Sequence, residues 1–216
     1  SGDDAGRVTR EGQPLISFAS NDYLGLTQHP EVIDAAHHAL AQYGAGAGAS
    51  RLVTGNHPCY TALEETLACM KQAEAALVFG SGYLANLGTI SALMAAGDVV
   101  FADKLVHACI LDGIALSGAQ LYRFRHNDMA HLAQLLSTHR QQFRHALIVT
   151  DHVFSMEGDV APLTAIASLA REYDAWTMAD DAHGLGIVDA AASMDIWMGT
   201  LSKSAGGYGG YITGSR

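Results

Sequence analysis

The sequence predicts an α/β domain built on a mainly parallel sheet with helices on both faces, and three observations carry that prediction. Five short apolar runs, at 75–79, 98–102, 120–124, 146–150 and 175–179, have the length of buried strands. Stretches with helical apolar spacing fall between them, at 83–95, 107–116, 128–139 and 162–173. Strand and helix in turn is the pattern of parallel crossovers. Finally, 49% of the 216 residues are hydrophobic and only 16% charged, enough to fill a large core and too apolar for a disordered chain.

Taken in order, "PLISFAS" (14–20) reads as a strand running into "NDYLGL". "EVIDAAHHALAQY" (31–43) has helical spacing behind Pro30, and a second helix over 58–72 is opened by Pro58; proline suits the first turn of a helix. "GAGAGAS" (44–50) separates the two. The strand–helix alternation follows, and "DIWMGT" (195–200) and "GGYITG" (209–214) add two more strands.

Composition excludes some functions. Net charge is −10 and the basic residues are scattered, so no clustered face for nucleic acid is expected. No apolar run approaches the about 18 residues of a membrane span. The opening "SGDDAGRVTREGQ" lacks a signal-peptide core, and three cysteines without a CxxC fit reduced thiols, so a cytoplasmic protein is expected. Among the histidines, His37 and His38 are adjacent on a helix, and His126 and His131 show no carboxylate partner in the sequence. No metal site is expected.

In such a sheet, ligands bind beyond the carboxyl ends of the strands. Those ends carry "GSGY", "DHVFSMEGD", "DDAHG" and "LSKS". Asp180, Asp181 and His183 alone could be a capped turn, a metal site or an acid–base pair. Lys203 at the next strand end adds an amine that, once desolvated, loses its proton and forms a Schiff base. Carboxylate, imidazole and such a lysine are together what pyridoxal phosphate requires, because the carboxylate keeps the pyridine nitrogen protonated. "GSGYLANLG" (80–88) puts small residues ahead of a helix whose N–H groups could hold the phosphate, and Thr200 could add a hydroxyl. A nucleotide-binding reading of the same stretch lacks the GxGxxG spacing.

Nine stretches carry a family resemblance: "SNDYLGL" (20–26), "GAGASRLVTGNH" (46–57), "LEE" (63–65), "FGSGYLANLGTI" (79–90), "DKLVHACILDG" (103–113), "FRHNDMAHL" (124–132), "VFSMEGDVAPL" (153–163), "DDAHGLG" (180–186) and "GTLSKSAGGYGGYITG" (199–214). In order and content they resemble the α-oxoamine synthase family of pyridoxal-phosphate enzymes. The resemblance implies the large domain of a type I, aspartate-aminotransferase-like transferase over 46–216, preceded by an N-terminal segment over 1–45. It implies that the family's smaller C-terminal domain, with its substrate-carboxylate arginine, is absent from this chain.

For the site it implies the following. Lys203 would bind the cofactor and remove the substrate's α-proton; Asp180 would face the ring nitrogen, and His183 the phenolic oxygen. His107 would stack on the ring. Ser81, Gly82, Tyr83 and Thr200 would hold the phosphate, with Ser155 near the phenolic oxygen and Asn21 near the substrate carboxylate. The implied reaction joins an amino acid to an acyl-CoA or acyl-carrier thioester with loss of carbon dioxide, in a homodimer. "GASRLVTGNH" and "FRHND" point to the branch using alanine and a pimeloyl thioester in biotin synthesis. Members forming 5-aminolevulinate, 2-amino-3-ketobutyrate or sphingoid bases are the alternatives, as is a non-catalytic heterodimer subunit, against which the presence of Lys203 speaks. Two departures stand out: "DAAASMD" (189–195) is abridged relative to the family, and Asp151-His152 replaces a common glutamate.

Overall fold

The computed structural model describes residues 6–189 and 194–216. Most of the abridged stretch, residues 190–193, therefore lies outside the described residues. The chain opens with a hairpin of β1 (Arg7–Arg10) and β2 (Gln13–Ile16), joined through Glu11 and Gly12, both at positive φ. Two left-handed residues give a two-residue turn the twist that a hairpin needs. The expected strand over 14–20 ends early because the Ser17 and Ser20 hydroxyls accept from the Ala19 and Asp22 N–H groups, a local bond that competes with a ladder. β1 went unforeseen, its polar residues being exposed on both faces.

Helices α1 (Pro30–Tyr43) and α2 (Pro58–Met70) begin at their prolines. α2 stops at Met70 because Gln72 turns left-handed and the Ala73 N–H caps the Ala68 carbonyl. Between the helices, Arg51 grips Glu64 through both terminal nitrogens, at 2.6 and 2.9 Å, and Glu64 also accepts from Val78 N. That fork fastens the glycine-rich loop to the sheet.

The alternation then appears as expected, with ends shifted by one or two residues: β3 (Ala75–Phe79), α3 (Gly82–Leu93), β4 (Val99–Asp103), α4 (Ala108–Ser117), β5 (Gln120–Phe124), α5 (Met129–His139), β6 (Ala146–Asp151), α6 (Leu163–Glu172), β7 (Trp176–Asp180), β8 (Ile196–Thr200) and β9 (Gly210–Gly214). The seven strands β3–β9 form one sheet in the order β3-β9-β8-β7-β6-β4-β5. Only β9 runs against its neighbours.

Strand alternation divides the core. Val99, Phe101, Ile148 and Trp197 face α5 and α6, while Val100, Ala102, Val149, Met178 and Met198 face α3 and α4. Each of the larger ones, Val, Ile, Phe or Met, contributes about 1.5–3 kcal/mol when removed from water. α4 approaches α3 most closely at Gly113, where a Cβ would lie 3.2 Å from the Asn86 carbonyl oxygen. At Gly199 a Cβ would enter the Tyr211 ring of β9, its paired residue, so that glycine makes room for the tyrosine.

Candidate active site

Because β4, β6, β7 and β8 are parallel, their carboxyl ends meet at one edge of the sheet. Asp151 ends β6 and Asp180 ends β7, at directly paired positions. Burial, and for Asp151 the neighbouring Asp180 charge, raise both carboxyl pKa values above the ordinary range. Their donors are neutral: Asn86 Nδ2 (2.8 Å) and Ala182 N (2.9 Å) on Asp180, and His107 N (3.2 Å) on Asp151. Asn86, fully buried on α3, was not anticipated, although an asparagine on the apolar face of a helix is a signal.

Lys203 follows β8, and its Nζ lies 2.7 Å from His183 Nε2. His183 Nδ1 lies 2.6 Å from the Tyr23 hydroxyl, which donates to Asn21 Oδ1 at 3.0 Å. One assignment satisfies all three contacts. The tyrosine hydrogen goes to Asn21, so Nδ1–H donates to the phenol oxygen and Nε2 accepts from the lysine. Burial, together with the charges of Lys203 and His107, pushes the His183 pKa down to about 4 and keeps the ring neutral. Burial likewise lowers the Lys203 pKa, against the pull of Asp180 and Asp151. Tyr23, two residues from Asn21 in "SNDYLGL", is the residue of that motif that meets His183, which the motif alone does not signal.

The neutral His183 has a stability consequence. Its pKa falls from an ordinary 6.5 to about 4 on folding, so the folded state binds fewer protons between those values. The His183 contribution to stability is therefore complete above pH 6.5 and is lost as pH falls toward 4. Since the ring is only half-buried, we expect a loss of about 1–2 kcal/mol rather than the full linkage value. Asp151 and Asp180, whose pKa values are raised on folding, contribute with the opposite sign over the same range. The His183 contribution is therefore read as the difference between the wild-type and His183→Gln denaturant titrations from pH 7.5 to 4.

The turn before α3 has the backbone geometry that could cradle an anion. Ser81 caps α3, its hydroxyl accepting from Leu84 N at 3.2 Å. A Cβ on Gly82 would lie 3.5 Å from Thr200 Cβ, and one on Gly210 would collide with the Ser81–Gly82 backbone. Ser81, Gly82 and Thr200 are thus adjacent, with the positive end of α3 facing the Lys203 loop. The Thr200 hydroxyl donates to Gly209 O and meets Ser202 Oγ at 2.8 Å, a neighbour not singled out from the sequence. Tyr83 places its phenol elsewhere, on Asp112 at 2.7 Å, leaving its main-chain N–H at the cradle. Gly206, at positive φ, lets the loop after Lys203 pass against Leu26 and Thr27, where a Cβ would clash.

His107 caps α4 and is exposed beside Asp151. Ser155 is exposed on the turn after β6, and among the described residues no hydrogen bond ties it to the cluster. Asp181 turns to the opposite face, where it pairs with Lys71 and, at 2.6 Å, with His152 Nδ1. His126 differs from expectation: it bridges two carboxylates, Asp103 at 3.0 Å and Asp159 at 2.9 Å, which sequence distance had hidden. A cavity of about 400 Å³ lined by Ala75, Leu77, Trp176 and Ile212 lies at the other end of the strands, away from this chemistry.

The profile of the family described as "Aminotransferase class I and II" matches residues 13–216. The chain belongs to that family. Similar members of aminotransferase class I and II include the 8-amino-7-oxononanoate synthase of Methylorubrum extorquens (strain PA1), 60% identical over 207 residues, 96% of this chain and 54% of the relative. The enzyme of the same name from Methylobacterium sp. (strain 4-46) is 57% identical over 210 residues, 97% of this chain and 55% of the relative. Sphingomonas wittichii serine palmitoyltransferase superposes with a TM-score of 0.92 at 33% identity, covering 98% of this chain and 55% of that one. The chain spans just over half the length of these relatives. Its architecture is the type I fold of pyridoxal-phosphate transferases, as the sequence implied.

A fit to the cofactor can be tested on this aminotransferase-class site itself. Two buried carboxylates held by neutral donors favour a cation beside them, and a protonated pyridine nitrogen supplies one. A lysine amine with a depressed pKa and a glycine-lined helix start supply the other two contacts. The residues fit.

Proposed function

We propose that the whole protein condenses an amino acid with an acyl thioester, releasing the thiol and carbon dioxide, with pyridoxal 5′-phosphate as cofactor. The preferred pair is alanine and a pimeloyl thioester, giving 8-amino-7-oxononanoate. The observation that carries the reading is the Lys203 amine, held by neutral His183 beside the Asp180–Asp151 pair. The substrate choice rests on relatives of that name at 57–60% identity, against 33% for the serine palmitoyltransferase.

When bound, the cofactor supplies an aldehyde for Lys203 and a protonated ring that stabilises negative charge at the amino acid's α-carbon. Asp180 would face the ring nitrogen, and His183 and Ser155 the phenolic oxygen. His107 would cover one face. Ser81, Thr200 and the N–H groups of Gly82 and Tyr83 would hold the phosphate. Lys203 Nζ, its pKa lowered by burial against the pull of Asp180 and Asp151, would take the α-proton, with His183 Nε2 holding it in line. Tyr23 keeps His183 in the required tautomer and aims Asn21 toward the substrate carboxylate. Tyr23→Phe should therefore lower kcat/KM about 3- to 10-fold, measured by steady-state CoA release, with little change in thermal midpoint.

The same reading divides the chain into an N-terminal segment over 1–45 and a cofactor-binding domain over 46–216. In support, α1 buries no residue of its own. It also makes the protein a cytoplasmic homodimer; no described helix is long and apolar enough to cross a membrane. A sedimentation mass of one active chain would overturn the dimer. For the reaction, alanine, glycine and serine are each offered with short, dicarboxylic and long acyl thioesters. Fastest turnover of alanine with the pimeloyl thioester supports the proposal, serine with a long acyl chain would replace it, and no turnover at all would defeat it.

A further inference from the structure

His107 caps α4 and its main-chain N–H donates to Asp151, while its ring makes contacts of its own. Its Nδ1 accepts the Cys109 main-chain N–H at 3.2 Å and lies 2.8 Å from Cys109 Sγ. A nitrogen that accepts a main-chain N–H carries no hydrogen, so the thiol must be the donor to it. Burial pushes the Cys109 pKa up to about 11, so that hydrogen stays on sulfur through the neutral range. Cys109 Sγ in turn lies 3.1 Å from Asn86 Nδ2, which also donates to Asp180 Oδ2. Asn86 and Cys109 are both buried, and they meet because α4 packs tightly on α3 at Gly113, one turn beyond Cys109.

We propose that Cys109 is a positioning residue, whose thiol donates to His107 Nδ1 and, through the amide of Asn86 shared with Asp180, ties the imidazole and the carboxylate into one unit. The bond leaves Nε2 as the ring nitrogen that carries hydrogen and fixes the plane of the ring. The same residues offer a duller account, in which Cys109 only fills space between α3 and α4. The two accounts separate on whether the S–H is engaged and whether a hydroxyl can replace it. The catalytic consequence rests on the cofactor reading above; the hydrogen bond does not.

The test uses the full-length protein with every other cysteine changed to serine, so that the Raman S–H stretch reports Cys109 alone. The band should lie below that of a solvent-exposed thiol and move up in His107→Phe. A band at the exposed-thiol position, or one unmoved by His107→Phe, overturns the proposal, and this arm needs no cofactor or substrate. In the enzymatic arm, Cys109→Ala should lower kcat about 3- to 10-fold with KM nearly unchanged. Cys109→Ser should restore most of that loss. Equal kcat in the two variants, at matched thermal midpoints, would leave only space-filling.

Discussion

Lys203→Ala is expected to lower kcat/KM by about 10⁴-fold or more. The substitution removes both the amine that would hold the cofactor and the base aligned by His183 Nε2 at 2.7 Å. The near-ultraviolet to visible band of the lysine-bound cofactor should vanish with it, while far-ultraviolet circular dichroism should not change, since Lys203 lies in the loop between β8 and β9. Lys104 provides the control. It is exposed, and its carbonyl rather than its amine is engaged, by Arg123. Lys104→Ala should leave turnover unaltered, and a comparable loss there would remove Lys203 from its assigned place.

The second large effect is on stability. Lys71 reaches Asp181 behind the site and lies 4.9 Å from the centre of the Trp197 ring. Asp181 is almost wholly buried and also accepts from His152, whose ring packs edge-on against Trp197. Lys71→Met keeps the packing but strands a buried carboxylate, which should cost about 3–5 kcal/mol in denaturant unfolding. Adding Asp181→Leu should recover a good part of that loss, because replacing both ions with apolar groups is far less costly than breaking the pair. A loss below about 1 kcal/mol in the single variant would show the pair to be dispensable. Gly184 belongs to the same feature: a Cβ there would overlap Asp181 Oδ1, so the turn that presents His183 is wrapped on this ion pair.

The central sheet was legible because its strands are apolar on both faces and short, and because a helix pattern separates most of them. The hairpin over 7–16 was not, since exposed strands have no apolar period to read. At the candidate site, the residues named from the sequence are those carrying unusual chemistry in a quotable motif, Lys203, Asp180, His183 and the Ser81–Gly82 turn, and the structure sets Lys203 against His183. Those that act by holding another residue were missed. Asn86 and Cys109 sit in apolar helices, and Tyr23 is 160 positions from His183. Nothing local announces a partner brought in by packing. The same limit explains His126, whose carboxylates are 23 and 33 positions away.

The order of the sheet bears on how the chain is made. β3 is complete once residue 79 is synthesised, yet its ladder partner is β9, with Ala75 opposite Gly214. Well over a hundred residues must emerge before that edge can pair, and β8 waits for the same strand on its other side. Closing so long a loop is entropically slow, and parallel neighbours add further distant contacts. The half-sheet β7-β6-β4-β5 can form first, leaving β3 and the cradle at the start of α3 unpaired on the ribosome. This stage exposes an open strand edge and is the one most prone to aggregation, so slowed translation just before residue 210 should lower the soluble yield.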